Sequence, residues 1–188
     1  LFWHIDLLTR QPLALGMVGA ARVVPIVIFS IFGGAYADLF DRRKLLFITQ
    51  TTQAGLALLL YYLTISGEIQ LWHIYLITAL QAVAFAFDIP ARQALIPNLV
   101  PRATLPNALS MSSIAGQLGA IIGPALSGIV IAGWGLSFTY LINGLSFGSV
   151  LLALILMGNV PQDRSLKQQH HRVDREMIRE GLSFTFSN

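Results

Sequence analysis

The chain has 188 residues, of which 55% are hydrophobic and only 11% charged, and its mean hydropathy is +0.67. A soluble domain carries about 25% charged residues, so this balance excludes an ordinary soluble enzyme or nucleic-acid-binding domain and predicts an all-α integral membrane protein. With no cysteine there is no disulfide framework or thiolate chemistry, and the formal charge of +3 is the Lys and Arg excess that membrane proteins keep on their cytoplasmic side.

Leu1 to Leu8 is apolar apart from His4 and Asp6, and Gln11-Pro12 breaks it. It reads as the last turns of a first span whose beginning is missing, which makes the chain a fragment of something longer. Leu13 to Ala37 is a second span, interrupted only by Arg22 and Pro25; about 20 apolar residues suffice to cross the hydrocarbon core. Gly33 to Lys44 follows as a tight charged turn, because hydrocarbon opposes the cluster Arg42-Arg43-Lys44. Leu45 to Ile65 is a third span, polar from Thr49 to Gln53, and Leu71 to Phe87 a fourth. Asp88 to Arg92 and the segment carrying Pro97, Pro101 and Pro106 are expected as helix ends and turns, since proline lacks the donor a helix interior needs. Ala108 to Ala132 is a fifth span, Gly133-Trp134-Gly135 a turn and Leu136 to Met157 a sixth. The spans form a domain over 1–157. From residue 158 the composition turns polar, so 158–188 is expected as a cytoplasmic loop, with Glu180 to Phe184 a candidate start of a further helix.

Ten of the 12 Lys and Arg residues (Arg42, Arg43, Lys44, Arg92, Arg102, Arg164, Lys167, Arg172, Arg175 and Arg179) follow even-numbered spans, which places those loops in the cytoplasm. The opposite turns carry no Lys or Arg and are ringed by Tyr61, Tyr62, Trp72, Tyr75, Trp134 and Tyr140, as an outer interfacial belt would be. Gly16, Gly19, Ala20 and Pro25 in the second span are echoed by Gly116, Gly119, Ala120 and Pro124 in the fifth. An offset of three spans would make the halves inverted repeats, as in many transporters; two packing faces of small residues explain the same echo.

Arg22 is a charge deep in a span, about nine residues or roughly 13 Å from its outer end. Its burial without a partner costs a few kcal/mol or more. Binding an anionic substrate group, pairing with Asp6 and anchoring by snorkelling are the available roles. Gln53, Gln81 and Asn143 either line a polar path with it or bond between helices. His4 beside Asp6 either carries protons or sits at the interface. His170-His171 lacks spaced partners, so no metal site is expected, and no phosphate loop, nucleophile constellation or cofactor motif is present.

Within the charged turn, Asp38 and Arg42 stand four apart, and an exposed pair of this kind contributes only about 0.3–0.5 kcal/mol. Basic residues alone would set topology; they leave the spacing of Gly34 and Asp38 unexplained. Gly34-x-x-x-Asp38-x-x-x-Arg42-Arg43 resembles the loop between helices 2 and 3 of major facilitator superfamily transporters. Leu39 replaces the usual basic residue and Asp41 the usual second glycine. Asp38-x-x-Asp41-Arg42-Arg43 together with Pro90 to Pro97 is similar to the branch containing the enterobactin exporter and macrolide or multidrug efflux proteins. Gly119-x-x-x-Gly123-Pro124-x-x-Ser127-Gly128 resembles the helix 5 antiporter motif, with Ser127 in place of one glycine and Ser110 of another; the superfamily's helix 4 arginine has no counterpart in Leu71 to Phe87.

The resemblance implies the amino-terminal six-helix half of a twelve-helix major facilitator fold in the bacterial inner membrane. The chain would be no enzyme but half of an exporter of a siderophore or drug-like molecule, working with a carboxy-terminal half and coupled to protons. It further implies a conformational latch of Gly34, Asp38, Arg42, Arg43 and Asp88, with Asp88 at the end of the fourth helix partnering Arg42. The candidate transport path is Arg22, Asp6, Gln53, Gln81 and Asn143. The alternative is a non-transporting polytopic protein, such as a lipid-modifying enzyme or an assembly scaffold.

Overall fold

In a bilayer the backbone must satisfy its own hydrogen bonds, which leaves helices as the solution for runs of this length and apolarity. The computed structural model describes the backbone of residues 1–39 and 41–157 and the side chains of 1–30 and 41–157. Every regular element among them is helical: α1 (Phe2–Thr9), α2 (Pro12–Leu39), α3 (Arg42–Ile65), α4 (Leu71–Leu99), α5 (Leu105–Trp134) and α6 (Leu136–Leu156), with a 3₁₀ turn at Arg102–Thr104. Five of these segments are long and apolar enough to cross a membrane. The chain is an all-α membrane protein. The expected loop at 158–188, including His170-His171 and Glu180 to Phe184, lies outside the described residues.

Helix boundaries follow from local chemistry. Arg10 ends α1 in the left-handed region at φ 50° and donates its N–H to the Asp6 carbonyl at 3.1 Å. Gln70 and His73 form a capping box at the start of α4, in which the Gln70 N–H donates to His73 Nδ1 at 3.1 Å. Between α5 and α6 the chain reverses at Gly135, whose φ of 86° strains any residue with a Cβ.

Helix α4 packs against both α2 and α3, and α3 packs against α6. Three small apolar cores result. Ile5, Ala14, Val18 and Ile74 join α1, α2 and α4; Leu60, Ile77 and Tyr140 join α3, α4 and α6; Leu46, Ala91, Leu95 and Leu154 join the same three helices at the other end. Gly144 lets α6 approach α3 closely, since a Cβ there would lie 2.8 Å from Leu58 Cδ2. By contrast α5 meets α4 and α6 only sparsely and buries none of its residues.

Two expectations are corrected. The segment after Phe87 is no turn: α4 continues to Leu99 with Pro90 and Pro97 inside it. Proline is tolerated within membrane helices because breaking the helix there would expose backbone to hydrocarbon; Arg42 of α3 braces this stretch by donating to the Ala94 carbonyl, next to the Gln93 carbonyl that Pro97 frees. The charged turn is also far shorter than Gly33 to Lys44. The backbone is helical through Leu39 and again from Arg42, so Gly34 and Asp38 fall in the last turns of α2 and the basic residues in the first turn of α3. Asp41 explains the restart: as N-cap it accepts from the N–H groups of Arg43 at 3.0 Å and Lys44 at 3.3 Å. A departure from the motif's usual glycine is therefore the residue that starts α3.

Candidate functional site

Two polar assemblies occupy this apolar bundle. The first centres on Asp88, which is buried in α4 more than two turns before the helix ends. Its Oδ1 accepts from the Thr49 hydroxyl at 2.9 Å and from Gln50 Nε2 at 2.6 Å, both on α3 and both buried. Its Oδ2 accepts from Arg92 Nη2 at 2.9 Å and Nε at 3.3 Å. The continuous helix makes that last pair possible, because i and i+4 share a face. Arg92 is half exposed, so solvent screens the ion pair and the two buried donors contribute more of the stabilisation.

Arg42 is thus not the partner of Asp88. Its Nη1 donates to the Ala94 carbonyl at 2.8 Å, while Arg43 Nε and Nη2 donate to the Leu154 and Ile155 carbonyls at 2.8 and 3.3 Å. Those two carbonyls belong to the last turn of α6, where the helix dipole favours a cation. The basic pair consequently ties α3 to α4 and α6, whereas Lys44 is exposed and its ammonium has no partner among the described residues. The Asp38 side chain and the surroundings of Gly34 lie outside what the structure describes.

The second assembly is a cavity of about 410 Å³ into which α2 supplies Arg22 and Ile26, α3 Gln53, α4 Thr78, Gln81 and Phe85, and α6 Asn143 and Phe147. Four of the five path residues converge on it; Asp6 does not line it and makes no ion pair with Arg22 among the described residues. The side chains of Arg22, Gln53 and Gln81 have no hydrogen-bond partner among the described residues, and the buried Thr78 hydroxyl is likewise unpaired. A neighbouring cavity of about 470 Å³ shares Gln81 and Asn143 and reaches Gly123 and Ser127 of α5, Thr139 and Tyr140. Gly123 and Ser127 of the antiporter-like motif therefore face a cavity. Gly119, Gly123 and Gly128 have nothing within 4 Å of where a Cβ would stand, so no described helix packs closely on them; Pro124 sits inside α5. His4 is buried in the bundle, its Nδ1 lying 3.1 Å from the Tyr140 hydroxyl. No group of three or more His, Asp or Glu placed to hold a metal occurs among the described residues.

A family model described as transmembrane secretion effector, within the major facilitator superfamily, matches residues 2–187. The chain belongs to this family. Its relatives include the staphyloferrin A transporter of Staphylococcus aureus, 31% identical over 87% of this chain and 42% of that protein. Macrolide efflux protein A of Streptococcus pyogenes is 23% identical over 78% of this chain and 37% of its own length. The enterobactin exporter EntS of Salmonella choleraesuis is 26% identical over 80% of this chain and 34% of its own. The chain thus spans well under half the length of these relatives. No solved structure matches it. Membership makes it a multi-pass inner-membrane protein of a transporter family, not an enzyme, and gives the non-transporting alternative no support.

Thr49, Gln50, Thr78 and Arg92 went unassigned in the sequence. A signal for the first two was present, since five polar residues in succession from Thr49 to Gln53 inside a span need partners. Thr78 and Arg92 gave none, because a threonine in an apolar run is ordinary and Arg92 sat in an expected loop.

Proposed function

We propose that the chain is the amino-terminal half of a secondary active exporter that moves a siderophore or drug-like molecule by alternating access, with the proton as coupling ion and a carboxy-terminal half as its partner. The observation that carries this reading is the convergence of Arg22, Gln53, Gln81 and Asn143, from four helices, on one cavity in a chain of a transporter family. Arg22 and the three amides act as the amino-terminal wall of the substrate path. The end of the bundle bearing Arg42, Arg43 and Asp88 acts as a rigid clamp, and Gly34 and Asp38, in the last turns of α2, latch it against the opposite half in one of the two states. Helix α5, with Gly119, Gly123, Pro124, Ser127 and Gly128, forms a wall that bends as access alternates. The same end of the bundle is cytoplasmic, by its basic residues.

The test is retention in cells lacking the full-length gene. They should hold more of a siderophore or macrolide than cells carrying the wild type, and a protonophore should abolish the difference. Asp38→Asn, present in the membrane at wild-type abundance, should fail to restore export. Equal retention with and without the gene would overturn the reading.

A further inference from the structure

We propose that the Arg22 cavity selects an organic anion, a solute bearing a carboxylate or comparable ionised acid beside an apolar or aromatic portion. This rests on the export reading and specifies its substrate class. Among the described side chains that line the cavity, the Arg22 guanidinium is the one formal charge, and there is no Asp or Glu. Around it stand groups able to donate hydrogen bonds: the amides of Gln53, Gln81 and Asn143 and the hydroxyl of Thr78. Thr78 is 4% exposed and its oxygen has no partner. A buried hydroxyl without a partner costs about 1–3 kcal/mol, and an unpaired guanidinium within a span costs a few kcal/mol or more. One carboxylate relieves both, because a guanidinium binds it through two parallel bonds while its remaining lone pairs accept from an amide or hydroxyl. A cationic solute would meet repulsion from Arg22 with no counter-charge among the described side chains of the lining. Ile26, Phe85 and Phe147 complete the wall with apolar and aromatic surface, which suits a ring or alkyl portion.

Mass spectrometry in both ion modes, on solutes retained by cells lacking the full-length gene, tests this against cells complemented with wild type, Arg22→Gln and Arg22→Lys at equal membrane abundance. The expected result is retention of a carboxylate-bearing solute in the deletion strain, clearance by the wild type, and roughly tenfold poorer export by Arg22→Gln, the equivalent of one lost charged contact. Arg22→Lys should restore part of it, since lysine keeps the charge without the planar fork. Retention of a neutral or cationic solute instead, or full clearance of the anion by Arg22→Gln, would overturn the anion assignment and leave export standing. No retained solute of any charge would overturn export itself and the assignment with it.

Discussion

Asp88 and Arg22 are both charges set within apolar helices, and the bundle treats them in opposite ways. Around Asp88 both carboxylate oxygens are occupied by donors from α3 and α4, and the adjoining Arg42 and Arg43 are tied to the backbones of α4 and α6. Around Arg22 four more polar side chains gather, Gln53, Thr78, Gln81 and Asn143, yet they bond neither to it nor to one another. A polar group in a membrane span needs a partner. Where the bundle supplies it, the group holds helices together; where the bundle withholds it, the group is left for something that comes and goes.

The strongest way to break this contrast is Asp88→Ala, which strands Gln50, Thr49 and Arg92. Loss of a buried charged partner costs roughly 3 kcal/mol or more, so thermal unfolding of the full-length protein in detergent should shift well downward. An unchanged midpoint would remove the clamp's structural role. Gly144→Ala should cost about 1–2 kcal/mol by pushing Leu58 out of its place between α3 and α6, and Leu58→Ala in the same chain should recover most of it. Arg43→Ala should cost about 1–2 kcal/mol by removing the guanidinium bonds to the Leu154 and Ile155 carbonyls. Arg22→Gln sharpens the comparison from the other side: removing an unpaired charge should leave the midpoint unchanged or raise it slightly while export falls, a separation that Asp88 variants should not show. Lys44→Ala should stay within about 0.5 kcal/mol of wild type.

The helical membrane class, the approximate spans and the family lay open in the sequence, because hydropathy and charge placement act locally. Helix ends did not, where two local rules competed. Pro90 and Pro97 signalled breaks, but a break inside a membrane would expose the backbone, and Arg42, far away in the chain, braces the same stretch through the Ala94 carbonyl. Reading Asp41 as a motif departure hid its role as a cap. Arg22, Gln53, Gln81 and Asn143 could be named as polar residues in spans, yet only the packing of α2, α4, α3 and α6 shows that they share one cavity. Asp6 looked equivalent on the same grounds and lies elsewhere. Assigning Asp88 to Arg42 failed because the partner one turn along the same helix was hidden in a supposed loop.

Helix α5 buries no residue against its described neighbours, and this bears on how the protein is made. Its hydropathy is enough for it to enter the bilayer as an independent unit, but insertion sets only its depth and direction. The rotation of α5 about its own axis, which determines whether Gly123 and Ser127 look toward the cavity, is fixed by little beyond its two short connections. The orientation of Gly123 and Ser127 toward the cavity is therefore only weakly held by the described residues.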